Sequence, residues 1–310
     1  MKILFTGGSS FTGCWIIKEL ASAGHDIVAV FRREVDEYPD ELRRTRIGTL
    51  AGICRPVFGV SFGDDRFLAL IKEGNWDLHC HHGADVTNYK SPDFDIAAAV
   101  ANNTHRLAAV LDALLNKGCA KIIVTGSVFE KDEGAGSDGL RALSPYGLSK
   151  AFTWQVFRYH AQLRQMMLGK FVIPNPFGPF EDPRFVHYLM KCWFIGETAV
   201  VNTPSYVRDN IHVSLLSKCY ADLVKTMSDG ITRLNPSGYV ESQGAFTRRV
   251  ASAMRNRLDL KCDFELKTQK EFPEPHIRIN TDSFAIKLGW NEAAAWDELA
   301  AYYSQLMTKR

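Results

Sequence analysis

The sequence lacks any long apolar run. No stretch of 18 uncharged apolar residues occurs in the 310-residue chain, so the sequence predicts no transmembrane helix. The opening segment MKILFTGG carries one lysine and an apolar run of only three residues, which is too short for the core of a signal peptide. We therefore expect a cytoplasmic protein that has no membrane partner.

The chain also lacks an excess of charge of either sign. It contains 37 Lys and Arg residues against 35 Asp and Glu residues. No basic run with interleaved aromatic residues occurs, although that pattern is typical of nucleic-acid binding. We expect no nucleic-acid partner.

Paired cysteine motifs are missing as well. The seven cysteines are widely spaced and none forms a CxxC, which is typical of free thiols in a reducing compartment. The run His79-Cys80-His81-His82 has the residue types of a metal site. Neighbours in a strand point to opposite faces, however, so four successive side chains do not converge easily on one ion. We expect no metal and interpret the run as the buried end of a strand.

Strand-like and helix-like segments alternate over the first 170 residues. The predicted strands are Lys2–Thr6, Asp26–Phe31, Pro56–Val60, Asp77–His81, Lys121–Thr125 and Lys170–Ile173. The predicted helices are Cys14–Ala23, Asp65–Glu73, Asp95–Lys117 and Ser149–Leu168, followed by Leu215–Ser228 and Phe246–Leu258 after a stretch rich in proline. This order predicts an α/β fold with a doubly wound parallel sheet. We expect a first domain over residues 1–174 and a smaller, interleaved domain over 175–310, with segments that return to the first.

A glycine-rich turn follows the first predicted strand and precedes the first predicted helix. Glycine allows the tight turn at one end and close packing of helix on strand at the other, and the helix N-terminus offers free N–H groups to a pyrophosphate. Such a turn can be purely structural, but its position between strand and helix favours dinucleotide binding. The candidate contacts are Gly7, Ser9, Ser10, Phe11, Thr12 and Gly13.

The end of the second predicted strand carries Arg32 and Arg33 instead of an acidic residue. A carboxylate there binds the ribose of NAD, whereas an arginine pairs with the 2′-phosphate of NADP. We therefore favour NADP(H), keep NAD(H) as possible, and note that the arginines could instead form a solvated loop. Asp64 could bind the adenine amino group or equally cap the helix that follows it.

Tyr146 and Lys150 are four residues apart at the start of a predicted helix, so they share one face. An ammonium near a phenol favours the phenolate, and such a tyrosine can exchange a proton with an alcohol or ketone oxygen. The YxxxK spacing also occurs by chance as a solvated pair. Its position about 20 residues after the strand KIIVT favours the catalytic interpretation.

Together these motifs resemble the extended short-chain dehydrogenase/reductase family of sugar-nucleotide epimerases, dehydratases and 4-keto reductases, whose fold is a Rossmann NAD(P)-binding domain with an appended substrate domain. The segment TGGSSFTG is similar to the family's TGGTGFIG, with Ser10 in place of the middle glycine. The resemblance implies that Asn103 is the asparagine of the fourth helix and contributes to the cofactor site. It also implies that Thr125 is the catalytic hydroxyl residue, with Ser127 as its rival or a substrate contact.

The second half of the chain carries further resemblances. The segment starting at Asn175 (NPFGP) is similar to the family's NVYGP, and residues 207–213 (VRDNIHV) are similar to its VRDFIHV. The resemblance implies substrate contacts at Asn175 and Arg208, with Arg208 on the substrate diphosphate. Weaker similarities occur at Asn235–Gly238 and Leu288–Trp290.

The resemblance implies hydride transfer at C4 of a nucleotide-linked sugar, with Thr125, Tyr146 and Lys150 as the catalytic set. It also implies that Lys150 belongs to the cofactor site and holds the nicotinamide ribose. Dehydratases carry Asp-Glu directly after the catalytic threonine, but here those positions hold Gly126 and Ser127. We expect an NADPH-dependent 4-keto reductase, with an NAD-dependent 4-epimerase as the alternative. A non-catalytic dinucleotide sensor is a third hypothesis, weakened by the presence of both Tyr146 and Lys150. The family also implies a homodimer.

Overall fold

The computed structural model describes residues 1–308, which form two compact units. The first unit comprises residues 1–133, 140–173 and 217–235. The second comprises residues 134–139 and 174–216 and the chain from Pro236 onwards. The chain therefore passes between the units several times, and residues 217–235 return to the first.

The strands are β1 Lys2–Thr6, β2 Asp26–Val30, β3 Arg55–Val57, β4 Leu78–His81, β5 Lys121–Ser127, β6 Ala135–Gly136, β7 Met167–Ile173, β8 Asn175–Phe177, β9 Ala199–Val201, β10 Val207–His212, β11 Ile231–Leu234, β12 Pro236–Ser237, β13 Tyr239–Ser242, β14 Phe264–Leu266, β15 Ile277–Ile279 and β16 Asp282–Ser283. The helices are α1 Phe11–Ser22, α2 Glu41–Gly48, α3 Asp65–Glu73, α4 Ile96–Asn103, α5 Leu107–Asn116, α6 Pro145–Leu163, α7 Phe185–Phe194, α8 Val213–Thr226, α9 Gln243–Leu258 and α10 Glu292–Thr308.

A seven-stranded parallel sheet forms the centre of the first unit, in the order β11-β7-β5-β4-β1-β2-β3. Strands β1, β4 and β5 are almost fully buried, as expected for a parallel sheet covered on both faces. The predicted α/β fold with a doubly wound sheet is confirmed. The strand order reverses between β1 and β4, and ligands of such sheets bind at the carboxyl ends of the strands beside that point.

The helix predicted over residues 95–117 is wrong as a single element. The chain forms α4 and α5, separated at residues 104–106, where Arg106 has a left-handed backbone with a φ of 48°. A Cβ atom on Gly63 would lie 2.0 Å from the carbonyl oxygen of His105. The loop before α3 therefore packs directly against the break between the two helices.

The helix predicted over residues 149–168 ends earlier than expected, whereas its start agrees with the prediction that Tyr146 and Lys150 lie at the start of a helix. Helix α6 begins at Pro145, with Ser144 as its N-cap, and ends at Leu163, so Met167 and Leu168 belong to β7. Strand β3 is also shorter than expected and ends at Val57. Helices α2, α7 and α10 were not predicted.

The second unit contains a mixed sheet in the order β13-β10-β15-β6, with β8 also pairing with β10. Its core is built from side chains of α7, α9 and α10, among them Trp193, Phe246, Met254 and Trp296. Across residues 1–308, no helix is long and apolar enough to cross a membrane.

Candidate active site

The turn after β1 is tightly constrained. Gly7 has a φ of 88°, and a Cβ atom there would lie 2.6 Å from the backbone nitrogen of Gly83. A Cβ on Gly13 would lie 2.2 Å from the carbonyl oxygen of Gly7, so α1 begins in direct contact with the turn. Ser10 is the N-cap of α1, and its hydroxyl accepts from Gly13 N and donates to Gly7 O. Ser10 therefore holds the turn closed.

These features fit a dinucleotide. The N–H groups of Phe11 and Thr12 lie in the first turn of α1, where a helix provides no acceptor of its own, and no acidic side chain lies in that turn. The half-buried Ser9 precedes the cap. Phosphate oxygens suit such a helix N-terminus, and the glycines leave the backbone uncovered for them.

The other proposed cofactor residues lie on neighbouring loops. Arg32 and Arg33 are exposed and follow β2 after one intervening residue. Burial raises the pKa of Asp85, but hydrogen bonds from Thr87 and Asn102, and then the positive charge of Arg32, lower it below its usual value. Asp64 caps α3, accepting from Phe67 N at 2.7 Å and from Ser61 N at 2.7 Å. The structure therefore shows the capping role that was the alternative interpretation of Asp64, and its adenine contact stays a prediction.

Tyr146 lies in the first turn of α6. Gly147 allows the close approach, since a Cβ there would lie 2.2 Å from the carbonyl oxygen of Phe129, just after β5. The Tyr146 ring packs edge-on against Tyr89 and Phe94, with centroids 5.5 and 6.1 Å away. These contacts fix the phenol at the carboxyl end of the sheet.

Lys150 is one turn further along α6 and only 3% exposed. Burial lowers the pKa of its ammonium group to about 8, an effect that Lys170 strengthens and Glu130 opposes. A lysine in this state is charged at neutral pH and loses its proton at mildly alkaline pH. It can therefore supply a positive charge beneath a phenol on the same helix face.

Asn103, at the end of α4, is buried and tied to two elements. Its Oδ1 accepts from Asp85 N at 2.7 Å, and its Nδ2 donates to the Thr153 hydroxyl at 3.2 Å. Thr153 in turn donates to the carbonyl of Ser149. Asn103 therefore anchors α6 to the loop that follows β4.

Thr125 is 4% exposed on β5, and the half-buried Ser127 lies two residues further along the same face of the strand. The Ser127 hydroxyl accepts from Phe129 N at 3.2 Å. The Thr125 oxygen lies 2.9 Å from Nδ1 of His82, whose Nε2 lies 3.0 Å from the Thr12 hydroxyl. Sequence reasoning missed His82, because its two partners are 70 and 43 residues away along the chain.

The run from His79 to His82 divides between two faces. His79 and His81 both pack on Phe62, with ring centroids 5.8 and 4.4 Å from it, whereas His82 stacks on Phe5. Within residues 1–308, no group of three His, Cys, Asp or Glu side chains is placed to hold a metal ion.

A buried ion cluster lies behind β5. Lys170 on β7 donates to Glu130 at 2.6 Å and to Glu133 at 2.5 Å, and Arg233 pairs with Glu133. The Lys170 ammonium also lies 4.8 Å from the ring centroid of Trp154 on α6. Lys170, Glu130 and Glu133 are each at most 2% exposed, so water does not solvate their charges. The opposite charges therefore stabilise one another, and removing one would leave another buried and unpaired. Sequence reasoning gave no sign of this cluster.

In the second unit, Arg208 is held in place by neighbouring groups. Nη1 donates to the carbonyls of Val207, Pro275 and His276, Nη2 donates to Glu274 at 2.9 Å, and the guanidinium lies 4.4 Å from the Tyr206 ring centroid. Asn175 differs, because its buried Nδ2 has no hydrogen-bond partner among the described residues. An unpaired amide donor of this kind can serve a ligand.

Solved structures with the same fold include three nucleotide-sugar enzymes. UDP-glucuronic acid 4-epimerase from Bacillus cereus, in complex with UDP-glucuronic acid and NAD, is 18% identical with a TM-score of 0.74, covering 99% of this chain and 100% of that one. UDP-glucose 4-epimerase from Bifidobacterium longum, with NAD+ and UDP, is 20% identical with a TM-score of 0.72 and covers 100% and 99%. The dTDP-glucose 4,6-dehydratase from Streptomyces venezuelae is 14% identical with a TM-score of 0.72 and covers 98% and 97%. At these identities the likeness shows the fold.

No curated protein matches the chain significantly. The sequence model of the NAD-dependent epimerase/dehydratase family matches residues 3–232, which is well over half of the 310 residues. The resemblance inferred from the motifs is thereby confirmed. This chain belongs to the NAD-dependent epimerase/dehydratase family, whose members are enzymes of the extended short-chain dehydrogenase/reductase type.

Proposed function

We propose that the protein is an NAD-dependent 4-epimerase of a nucleotide sugar, with a UDP-hexose as the first substrate to test. The observation that carries the proposal is the presence of Tyr146, buried Lys150 and buried Thr125 beside a turn that fits a dinucleotide. Two of the similar solved structures are UDP-sugar 4-epimerases with bound NAD, which supports the substrate class.

Each catalytic residue has a distinct role in this proposal. A bound NAD would take up the hydrogen at C4 as a hydride and return it to the opposite face of the sugar. Tyr146 would accept the proton of the 4-hydroxyl and give it back when the 4-keto sugar is reduced, so that C4 would be inverted and Tyr146 left unchanged. Lys150 stabilises the phenolate form of Tyr146, and Thr125 donates a hydrogen bond to the reacting oxygen.

Substrate contacts are assigned to Asn175, Arg208 and Ser127. A planar, permanently charged guanidinium suits a diphosphate, so Arg208 is proposed to bind the diphosphate of the sugar nucleotide. The unpaired amide donor of Asn175 supports its role as a further substrate contact. Gly7, Ser9, Ser10, Phe11, Thr12, Gly13 and Asn103 are proposed to form the cofactor site.

Incubation of the purified enzyme with NAD+ and a set of UDP-hexoses tests the proposal. The expected result is inversion at C4 with no net change in the reduced cofactor. A set in which no sugar is inverted would count against the epimerase proposal.

A second candidate is an NADPH-dependent 4-keto reductase, favoured by Arg32 and Arg33 at the end of β2. Titration of NAD(H) and NADP(H) by fluorescence separates the two. An epimerase of the proposed kind binds NAD at least as tightly as NADP. Tighter binding of NADP(H) that is erased when Arg32 and Arg33 are replaced by alanine would favour the reductase.

The exposed face of α6 supports the proposal of a homodimer. Phe152, Tyr159 and Leu163 are 48%, 62% and 63% exposed and lie along one side of the helix. Exposed apolar stripes of this kind mark protein interfaces. We expect Leu163→Glu to convert the dimer to a monomer in sedimentation velocity, whereas Ile286→Glu, which changes a 97% exposed residue of the second unit, leaves it dimeric.

A further inference from the structure

His82 lies between the proposed cofactor turn and the proposed catalytic Thr125, both in the first unit. Its Nε2 lies 3.0 Å from the Thr12 hydroxyl at the start of α1, and its Nδ1 lies 2.9 Å from the Thr125 hydroxyl on β5. The ring is 8% exposed and stacks on Phe5 with a centroid distance of 5.6 Å and an interplanar angle of 30°. Both ring nitrogens and the ring plane are therefore fixed by neighbours.

The imidazole is neutral at physiological pH. Burial, and then the positive charge of Lys150, lower the pKa of His82 to about 3. The neighbouring His81, whose own pKa lies well below its usual value, is neutral as well. A neutral imidazole has one N–H donor and one acceptor nitrogen, so the two threonine contacts must have opposite directions.

The direction decides what Thr125 can offer to a substrate. If Nε2 carries the hydrogen, then Nδ1 must accept, and the Thr125 hydrogen is used by His82. If Nδ1 carries the hydrogen, it donates to the Thr125 oxygen, and His82 leaves the Thr125 hydrogen unused. Thr12 then donates to Nε2.

We propose that His82 is a positioning residue that donates Nδ1–H to Thr125, so that the Thr125 hydroxyl points its hydrogen at the reacting sugar oxygen. This inference rests on the proposed function, because it assigns a task to the Thr125 hydroxyl in that reaction. It also makes the orientation of Thr125 dependent on Thr12, which lies in the proposed cofactor turn.

Histidine-specific 15N NMR tests the direction of the two hydrogen bonds of His82 and needs no measurement of turnover. A protonated ring nitrogen and an accepting one differ widely in 15N chemical shift, and the difference from the His82→Asn spectrum assigns the signal among the nine histidines. The expected result is one neutral tautomer with hydrogen on Nδ1 between pH 5 and pH 8. Hydrogen on Nε2, or a mixture of the two tautomers, would overturn the inference.

Substitutions of His82 by side chains of different length test whether turnover depends on the hydrogen bond from Nδ1 to Thr125. The amide of asparagine reaches the place of Nδ1, and the amide of glutamine reaches the place of Nε2. We expect His82→Asn to keep most of kcat, and His82→Gln and His82→Leu to lower kcat by about 10- to 100-fold with little change in KM or in cofactor affinity. Equal kcat values for the asparagine and glutamine variants would contradict the inference.

A double-mutant cycle separates a positioning role from a general effect on stability. In a Thr125→Val background, His82→Leu should change kcat by less than about 2-fold, since the residue through which it acts is gone. A full additive loss would show that His82 acts in another way. Failure of the proposed function gives a different pattern: Tyr146→Phe or Thr125→Val would then retain the wild-type turnover.

Discussion

A side chain at Gly126, on β5, would occupy the volume that the Glu130 carboxylate fills. A Cβ atom on Gly126 would lie 2.7 Å from Oε1 of Glu130 and 2.8 Å from Cε of Lys170. Both neighbours are held in the buried ion cluster, so neither can move away cheaply. Gly126→Ala should therefore reduce the free energy of unfolding by about 1–3 kcal/mol, as overpacking of a core usually does, which urea denaturation would measure.

The matched control is Gly139→Ala. A Cβ on Gly139 would meet no atom within 4 Å, so this substitution should leave stability nearly unchanged. Equal effects of the two substitutions would contradict the packing account. The same crowding explains why a dehydratase-like aspartate does not fit at residue 126, where it would face the carboxylate of Glu130.

Tyr146→Phe should lower turnover by about 100-fold or more, because it removes the group that exchanges the proton. The phenylalanine ring of the variant still fills the space beside Tyr89 and Phe94, so the melting temperature and cofactor affinity should stay close to those of the wild type. Steady-state kinetics with the best substrate would measure this. Tyr302→Phe serves as the control, and near-normal turnover of Tyr146→Phe would reject the assignment.

The fold was largely predictable because buried parallel strands leave a clear apolar signature, as in KIIVT for β5. The break between α4 and α5 was not predictable, since residues 104–106 contain no glycine or proline and the loop that packs against the break, at Gly63, is distant in the sequence. The start of α6 was predicted with the YxxxK segment, and Ser144 and Pro145 are indeed a typical N-cap and first-turn pair. Its end at Leu163 had no such signal.

In the candidate site, too, residues with a local sequence signal could be predicted, whereas residues whose contacts are distant in the sequence could not. Gly7, Tyr146 and Lys150 could be proposed from the sequence because each lies in a short segment with a recognisable spacing, and their roles stay predictions. His82 and Glu130 were not, since their roles depend on side chains brought together from different strands. The buried Lys170 was visible only as a strand residue until Glu130 and Glu133 were seen beside it.

Glu274 should compete with the substrate diphosphate for Arg208. Its carboxylate lies 2.9 Å from Nη2 of Arg208 and is 57% exposed, so an anionic ligand must take its place. We expect Glu274→Gln to lower the Kd of a nucleotide diphosphate, and Arg208→Ala to weaken binding by about 1.5–3 kcal/mol, as for loss of a charge-assisted hydrogen bond.

Isothermal titration calorimetry with UDP measures both effects. Arg257→Ala, which removes an ion pair with Asp297 in the same unit, is the control and should leave UDP affinity unchanged. If Arg208→Ala weakened UDP and the cofactor equally, Arg208 would have a structural role instead.

Stability should fall as the pH falls from about 6.5 to about 4. Burial lowers the pKa of His79 to about 4 and that of His81 still more clearly, with His79, Lys150 and His82 adding to the effect on His81. In that pH window the unfolded chain binds protons that the folded chain does not. Each such imidazole therefore costs about 1.4 kcal/mol of stability per pH unit.

His81→Leu should reduce this pH dependence. Neither ring nitrogen of His81 has a hydrogen-bond partner within the described part of the chain, and the ring packs on Phe62 and Phe157. Urea denaturation at several pH values should show a shallower slope for this variant than for the wild type. His105→Leu, which changes an exposed histidine, is the control, and its free energy of unfolding should depend on pH as in the wild type. An unchanged slope for His81→Leu would show that His81 is already protonated in the folded protein.

The most direct test of the central claim follows a deuterium atom at C4 of a UDP-hexose during incubation with the enzyme and NAD+. An epimerase that uses Tyr146 and the bound cofactor should give the C4-inverted sugar with the deuterium still on C4, and no NADH should accumulate. The result that would contradict the account is the absence of inversion together with stoichiometric consumption of NADPH when a 4-keto nucleotide sugar is supplied.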